Sequence, residues 1–304
     1  MTSLETICRA FGVIPADMKV GTDEELRALV RGMAAAGNVL ATDFIAAHGK
    51  EFVVADHRVV IPPLPMGVLT LPRVRNLVYH VCALKSNNGW KDNLVQLNKR
   101  MAVFNGRRII GVARGPGIHD PSVVIKEIPG CEYLVLPNCK VLREVATFLP
   151  LMLSVANDSA EECSFYAHTK SNSTADDQRG AWAWTKTMYH HLLDFPDEVM
   201  KDLRTNLAVG TTQGIWHGAN APFPTKLNWA GWAFFGTFWW FRHDAVFSRP
   251  KWMCFPNDRY VAEAWLGNML PPERCKSRFQ PWPLHQYPTP CPYDESLYPV
   301  LPNA

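Results

Sequence analysis

The sequence predicts a mixed α/β protein: a mostly parallel sheet flanked by helices, with a helical N-terminal extension. Three observations carry this. Between Arg75 and Ala113 an apolar run, an amphipathic stretch and a second apolar run follow one another, the pattern of a strand–helix–strand crossover. From Asn228 to Phe247 the chain reads N-W-A-G-W-A-F-F-G-T-F-W-W-F-R-H-D-A-V-F, apolar on both faces, as a strand covered on both sides would be. Two polar segments, His80 to Trp90 and His168 to Lys170, follow predicted strands, at the end where open parallel sheets bind ligands.

Composition narrows the class. A chain of 304 residues that is 47% hydrophobic can bury a real core. Its net charge of +3 and the lack of Lys/Arg runs beyond pairs such as Arg107-Arg108 argue against a nucleic-acid partner. No apolar stretch is long enough for a membrane span. The first residues lack the basic flank and long apolar core of a signal peptide, and none of the eight cysteines forms a C-x-x-C pair. A cytoplasmic protein with reduced thiols is the expectation.

Taken in order, the chain begins with a segment to about residue 70 in which Asp23 to Gly49 reads as helix. Thr22 or Asp23 serves as N-cap, and Leu26, Leu29, Val30 and Met33 share one face. The cluster Pro62-Pro63-Leu64-Pro65 marks a boundary. The α/β pattern then starts. A strand at 75–84 leads through a polar loop into a helix at 90–104, and Asn105-Gly106 breaks it before a strand at 107–113. Val123 to Ile128 and Glu132 to Leu136 read as further strands, and 142–155 as a helix that Pro150 should kink or stop. A short strand covers 164–167, helices cover 182–193 and 197–207, and the aromatic strand follows. A helix at 259–269 closes the α/β body. From Pro271 the Pro- and Tyr-rich chain should be irregular and extended. The divisions are thus 1–70, 71–280 and a Pro-rich tail at 281–304.

Absent motifs exclude several chemistries. There is no G-x-G-x-x-G, no P-loop, no G-x-S-x-G elbow and no H-E-x-x-H. Four pieces together resemble a family of GT-A-type glycosyltransferases common in gene clusters for bacterial surface polysaccharides. They are N-L-V-Y-H-V…N-G-W-K-D-N-L-V-Q-L at 76–97, F-Y-A-H-T-K at 165–170, G-T-F-W-W-F-R at 236–242 and D-R-Y-V-A-E-A-W-L-G at 258–267. The resemblance covers about 70 to 280 and implies a GT-A-like, Rossmann-like catalytic domain. It also implies transfer of a sugar from a nucleotide-diphosphate donor to a hydroxyl of a glycan acceptor.

The resemblance places the donor over the loop after the first strand: His80, Asn88, Gly89, Trp90 and Asn93. The physical logic agrees, because a helix N-terminus offers free N–H groups to phosphate and a Trp face can stack on a base or sugar. The alternative for Trp90 is simple core packing. His168-Thr169-Lys170 stands where such enzymes carry an Asp-x-Asp metal motif; Lys170 is the candidate counter-ion for departing diphosphate and His168 a phosphate, metal or hydrogen-bond ligand. Asp176 and Asp177 are weak candidates for Mg²⁺ or Mn²⁺, and metal-independent action is equally open.

Glu263 is the candidate general base of an inverting transfer, with Asp258 and Arg259 behind it. Arg242 is a candidate diphosphate ligand, the alternative being a pair with Asp244. Trp239 and Trp240, with Trp229 and Trp232, are candidate sugar platforms, and His217 beside Trp216 a candidate on the acceptor side. Ala233 and Phe235 stand where the family often has polar residues. That departure motivates the rival expectation: a catalytically degenerate fold that binds carbohydrate or serves assembly. A third option is a hydrolase that pairs Glu263 with a second carboxylate.

Overall fold

The computed structural model describes residues 67–139, 143–170, 178–215, 231–253, 260–281, 293–294 and 296–297, together with 26, 27 and 30. Of the expected N-terminal helix, residues 26, 27 and 30 are helical and the rest lies outside the described residues. The elements in order are β1 (Val74–Val81), α1 (Gly89–Asn98), β2 (Arg108–Arg114), α2 (Pro121–Glu127), β3 (Glu132–Pro137), α3 (Val145–Val155) and β4 (Glu162–His168). Then come α4 (Gln178–Leu193), α5 (Pro196–Asp202), β5 (Ala208–Gly210), β6 (Gln213–Ile215), β7 (Trp232–Phe234), β8 (Trp239–Arg242), α6 (His243–Val246), α7 (Val261–Ala264) and β9 (Cys275–Ser277).

A mixed, mostly parallel sheet of seven strands in the order β3-β2-β1-β4-β8-β5-β9 forms the centre. Only β8 runs against its neighbours, β4 and β5. From β1 the chain moves outward through β2 to β3, then returns through α3 to lay β4 on the other side of β1. The strand order therefore reverses between β1 and β4, and the carboxyl ends of those two strands flank the natural crevice.

Side chains alternate across the sheet as strand geometry demands. Val78, Tyr166, Trp239 and Phe241 face α3, α7 and the β6–β7 pair, joined by Phe148, Leu151, Met152 and Trp265. Leu77, Tyr79, Phe165 and Trp240 face the other way, into Leu94, Leu97, Tyr189 and Leu192 of α1 and α4. Both faces are covered, which is why the strands read as near-continuous apolar runs.

The structure corrects several sequence expectations. Val123 to Ile128 is not a strand. Asp120 accepts the Ser122 N–H at 2.9 Å and Pro121 opens the turn, so a capped helix, α2, forms despite three β-branched residues. The aromatic run is not one strand but two, β7 and β8, broken at Gly236 (φ +94°) and Thr237 (φ +62°). β7 leaves the main sheet to pair with β6, and Gly267 lets α7's end pack against it, since a Cβ there would meet the Trp232 carbonyl at 1.7 Å. Pro150 does not stop α3, which runs to Val155. The chain past Pro271 is not wholly irregular: β9 pairs in parallel with β5 at the sheet edge.

Candidate functional site

The parallel register puts His80 of β1 opposite His168 of β4, the last residues of their strands on the α3 face. Both are buried. His80 Nδ1 lies 2.6 Å from the Thr147 hydroxyl, which itself sits 3.0 Å from the Glu144 carbonyl oxygen. That hydroxyl donates to the carbonyl, so the network assigns the imidazole proton to His80 Nδ1. Burial lowers the His80 pKa to about 4, and the ring is neutral at physiological pH. Beyond the strand ends the chains stay tied: the Thr169 N–H donates to the His80 carbonyl at 3.0 Å, and the Thr169 hydroxyl accepts the Cys82 N–H at 3.1 Å.

From the other face, α1 brings Asn93. Its side-chain amide donates to the carbonyls of Gly89 at 2.8 Å and Lys170 at 3.1 Å, so the helix N-terminus is bolted to the segment after β4. Tyr189 of α4 donates to the Asn93 carbonyl at 3.3 Å and pairs with the Tyr79 hydroxyl at 2.8 Å, which fixes α1 from beneath. Lys170 Nζ then lies 5.0 Å from the Trp184 ring centre, a cation–π distance.

The centre of the site is Glu144, which precedes α3 and which no motif singled out. Its side chain is 16% exposed, and Oε1 lies 3.9 Å from His168 Nε2, too long for a hydrogen bond. Burial raises the carboxyl pKa, Lys170 pulls it down, Glu263 pushes it further up and Arg143 pulls it down. Residues from three segments, Arg143, Lys170 and Glu263, thus act on one carboxyl. Burial drives the His168 pKa well below its ordinary value, with Lys170 and His80 adding to the shift. Burial and then Glu144 push Tyr166 up well above its usual range and Cys82 to about 11. Glu263, on α7, is aimed by its own contact: Oε1 accepts the Gly236 N–H at 2.7 Å.

Beside this carboxyl, His168 Nε2 and Tyr166 Oη are buried without a hydrogen-bond partner among the described residues. Buried polar atoms are ordinarily paired, and such a group of orphans marks a place that a ligand or ordered water completes. Two surface depressions lie elsewhere, of about 320 and 330 Å³. In the first, between α5 and β9, Asp202 already pairs with Lys276 and Arg278; the second lies at the amino ends of β1 and β4.

The structure therefore brings together Gly89, Asn93, His80, His168, Lys170 and Glu263, from the three sequence segments that the motifs marked. Asn88 is exposed at the start of α1. Trp90 is fully buried beside His119 and packs on the core rather than offering a face. Trp240 faces away, stacks on Phe104 and donates to the Leu192 carbonyl. Trp239 is on the site face but wholly buried beneath Tyr166 and Trp265, so neither ring is a sugar platform. Arg242 stands at the far end of the sheet, opposite Cys163, with its N–H groups taken by Asp244 and the carbonyls of Thr70, Leu203 and Ala160. It has no donor left for a diphosphate. Asp176, Asp177, His217, Trp216, Trp229, Asp258 and Arg259 lie outside the described residues.

Among the described residues no group of three or more His, Cys, Asp or Glu is placed to hold a metal. Glu144 itself had one available signal in the sequence. It follows the third parallel strand at the same sheet end as the two loops already marked.

No family model matches this chain. No curated protein matches it either. Among solved structures it has a likeness to 4-diphosphocytidyl-2C-methyl-D-erythritol synthase from Anaerococcus prevotii, with 13% identity over 58% of this chain and 72% of that one and a TM-score of 0.30. A likeness this slight carries no argument about chemistry. No helix among the described residues is long and apolar enough to cross a membrane.

Proposed function

We propose that this chain transfers a sugar from a nucleoside-diphosphate donor to a hydroxyl acceptor, as the GT-A-type glycosyltransferases its motifs resemble would. One observation carries the reading. Glu263 and the His168–Lys170 segment, distant in sequence, both bear on the Glu144 carboxyl. In this reading Glu263 takes the proton of the acceptor hydroxyl, whose oxygen attacks the anomeric carbon as the bond to the diphosphate breaks. The Gly236 N–H orients one carboxylate oxygen and leaves the other for that proton. Lys170, held over Trp184, neutralises the charge that builds on the departing diphosphate. The α1 N-terminus, fixed by Asn93 to the segment after β4, lies on the same side. No step is routed through a metal.

The test is a screen of nucleotide sugars for nucleotide release and glycan extension, with Glu263→Gln as control. Turnover lost in that variant supports transfer. Binding without turnover on any donor supports the carbohydrate-binding rival instead.

A second reading is favoured by one specific feature, the two facing carboxyls. Glu144, desolvated and pushed up further by Glu263, is suited to hold a proton as a general acid, with Glu263 as the second carboxyl. That pair would hydrolyse a glycoside, and it predicts sugar release from aryl glycosides without any nucleotide.

A further inference from the structure

We propose that Arg143 is a second cation of the diphosphate site, acting with Lys170 across the Glu144 carboxyl. The inference rests on the nucleoside-diphosphate reading above and adds a residue that no motif marks. Arg143 is the residue before the Glu144 cap of α3. Its φ is +53°, one of three non-glycine residues among those described in the left-handed region. Only the backbone is engaged: the N–H donates to the Cys139 carbonyl at 2.7 Å and the carbonyl accepts from Ala146 at 3.3 Å. Strained backbone of this kind persists where the surroundings hold it, often at a ligand site.

The charge is also in the wrong place for folding. The positive end of a helix dipole disfavours a cation, and Arg143 adjoins the N-terminus of an eleven-residue helix. The guanidinium is exposed, and among the described residues no ion pair or hydrogen bond is recorded for it. Yet its charge reaches both the Glu144 carboxyl and the His168 ring, as does that of Lys170. The independent sign of a ligand is His168 Nε2, which is buried, unpartnered and directed at Glu144. A bound diphosphate would answer all three: it would offset the helix dipole and the two cations, and it would accept from the orphaned imidazole nitrogen in the Nε2–H tautomer. Arg suits this role because its planar fork meets two phosphate oxygens at once.

Calorimetric titration of the full chain with inorganic pyrophosphate and with UDP tests the proposal. Arg143→Ala should weaken both by about tenfold and reduce the salt dependence of binding. Arg143→Gly separates function from folding. It relieves the positive φ, so it should melt at or above the wild-type Tm while binding pyrophosphate as weakly as the alanine variant. Arg143→Lys should fall between. If the wild type binds both probes and Arg143→Gly binds them equally well, this inference is overturned and the nucleotide site stands. If the wild type binds neither probe, the nucleoside-diphosphate reading fails, and the proposal fails with it.

Discussion

The backbone N–H of Gly236 donates to Glu263 Oε1 at 2.7 Å, across 27 residues of chain. Through this contact the turn between β7 and β8 sets the direction of the carboxylate on α7. The same glycine lets Trp184 of α4 come close, because a Cβ there would lie 2.7 Å from Trp184 Cζ2 and 2.6 Å from Met188 Sδ. Trp184 in turn carries Lys170 over its ring. One residue without a side chain thus adjusts both the proposed base and the proposed counter-ion.

Gly236→Ala should accordingly be costly on two counts. The φ of +94° is strained for any L side chain, and both contacts are shorter than packed atoms tolerate. A loss of about 2 to 4 kcal/mol is expected, read from the denaturant midpoint. Activity of the folded fraction should fall as well, since Glu263 loses its fixed direction. A variant with unchanged midpoint and turnover would show that the contact orients nothing.

Glu263→Gln separates chemistry from structure. The amide oxygen still accepts the Gly236 N–H, so stability should stay within about 0.5 kcal/mol of wild type. Turnover should drop by about 10² to 10⁴-fold, the usual worth of a general base. The comparison is a melting curve beside a rate on the best donor found in the screen.

Glu144→Gln has an effect whose size depends on pH. A carboxyl whose folded pKa is raised costs stability when ionised, and the cost is relieved as pH falls through that pKa. The neutral glutamine should therefore stabilise the protein at pH 8, with a gain that shrinks toward pH 5. Tm measured across that range tests it, and a pH-independent difference would contradict the buried carboxyl described here.

Three buried histidines dominate the acid limb. Burial lowers His80 and His243 to about 4 and His168 well below its ordinary value. Because the unfolded chain protonates them near 6.5 and the folded chain does not, stability should fall as pH drops from about 6.5 toward 4. Each ring contributes a slope of at most about 1.4 kcal/mol per pH unit, and Glu144 works in the opposite direction. His243 is pinned between the Ser164 hydroxyl at 2.8 Å and Asn157 Oδ1 at 3.1 Å, far from the site. Replacing it by Asn should flatten the profile by one proton, measured as the change in unfolding free energy with pH.

Arg242→Lys tests the opposite expectation, that this arginine only holds the fold. Removing the guanidinium leaves Asp244 and three carbonyls short of a donor, at a cost of about 3 to 5 kcal/mol. UDP affinity of the folded protein should not change, and a selective loss of affinity would restore a ligand role.

How much of this was legible beforehand varies by element. The β1–α1–β2 unit was readable because local periodicity and the Asn105-Gly106 break agree with the tertiary arrangement. Val123 to Ile128 misled because a cap two residues long outweighs β-branched propensity. The aromatic run misled because apolarity on both sides does not tell one strand from two that serve different sheets. Arg242 and the tryptophans beside it are chemically fit for a diphosphate or a sugar, and only burial shows that protein atoms already occupy them.

The sequence by itself determined the α/β class, the sheet end at which chemistry collects, and Glu263, Lys170 and His168 as groups worth watching. Those follow from periodicity and motif, which are local properties. Only the tertiary structure put Glu144 beside His168 and took Arg242 away from them, with its N–H groups already engaged. Register across β1 and β4, the strand-order reversal and the reach of α3 are pairings between residues far apart in the chain, and the field felt by a carboxyl is a sum over such neighbours. No window of sequence contains that sum.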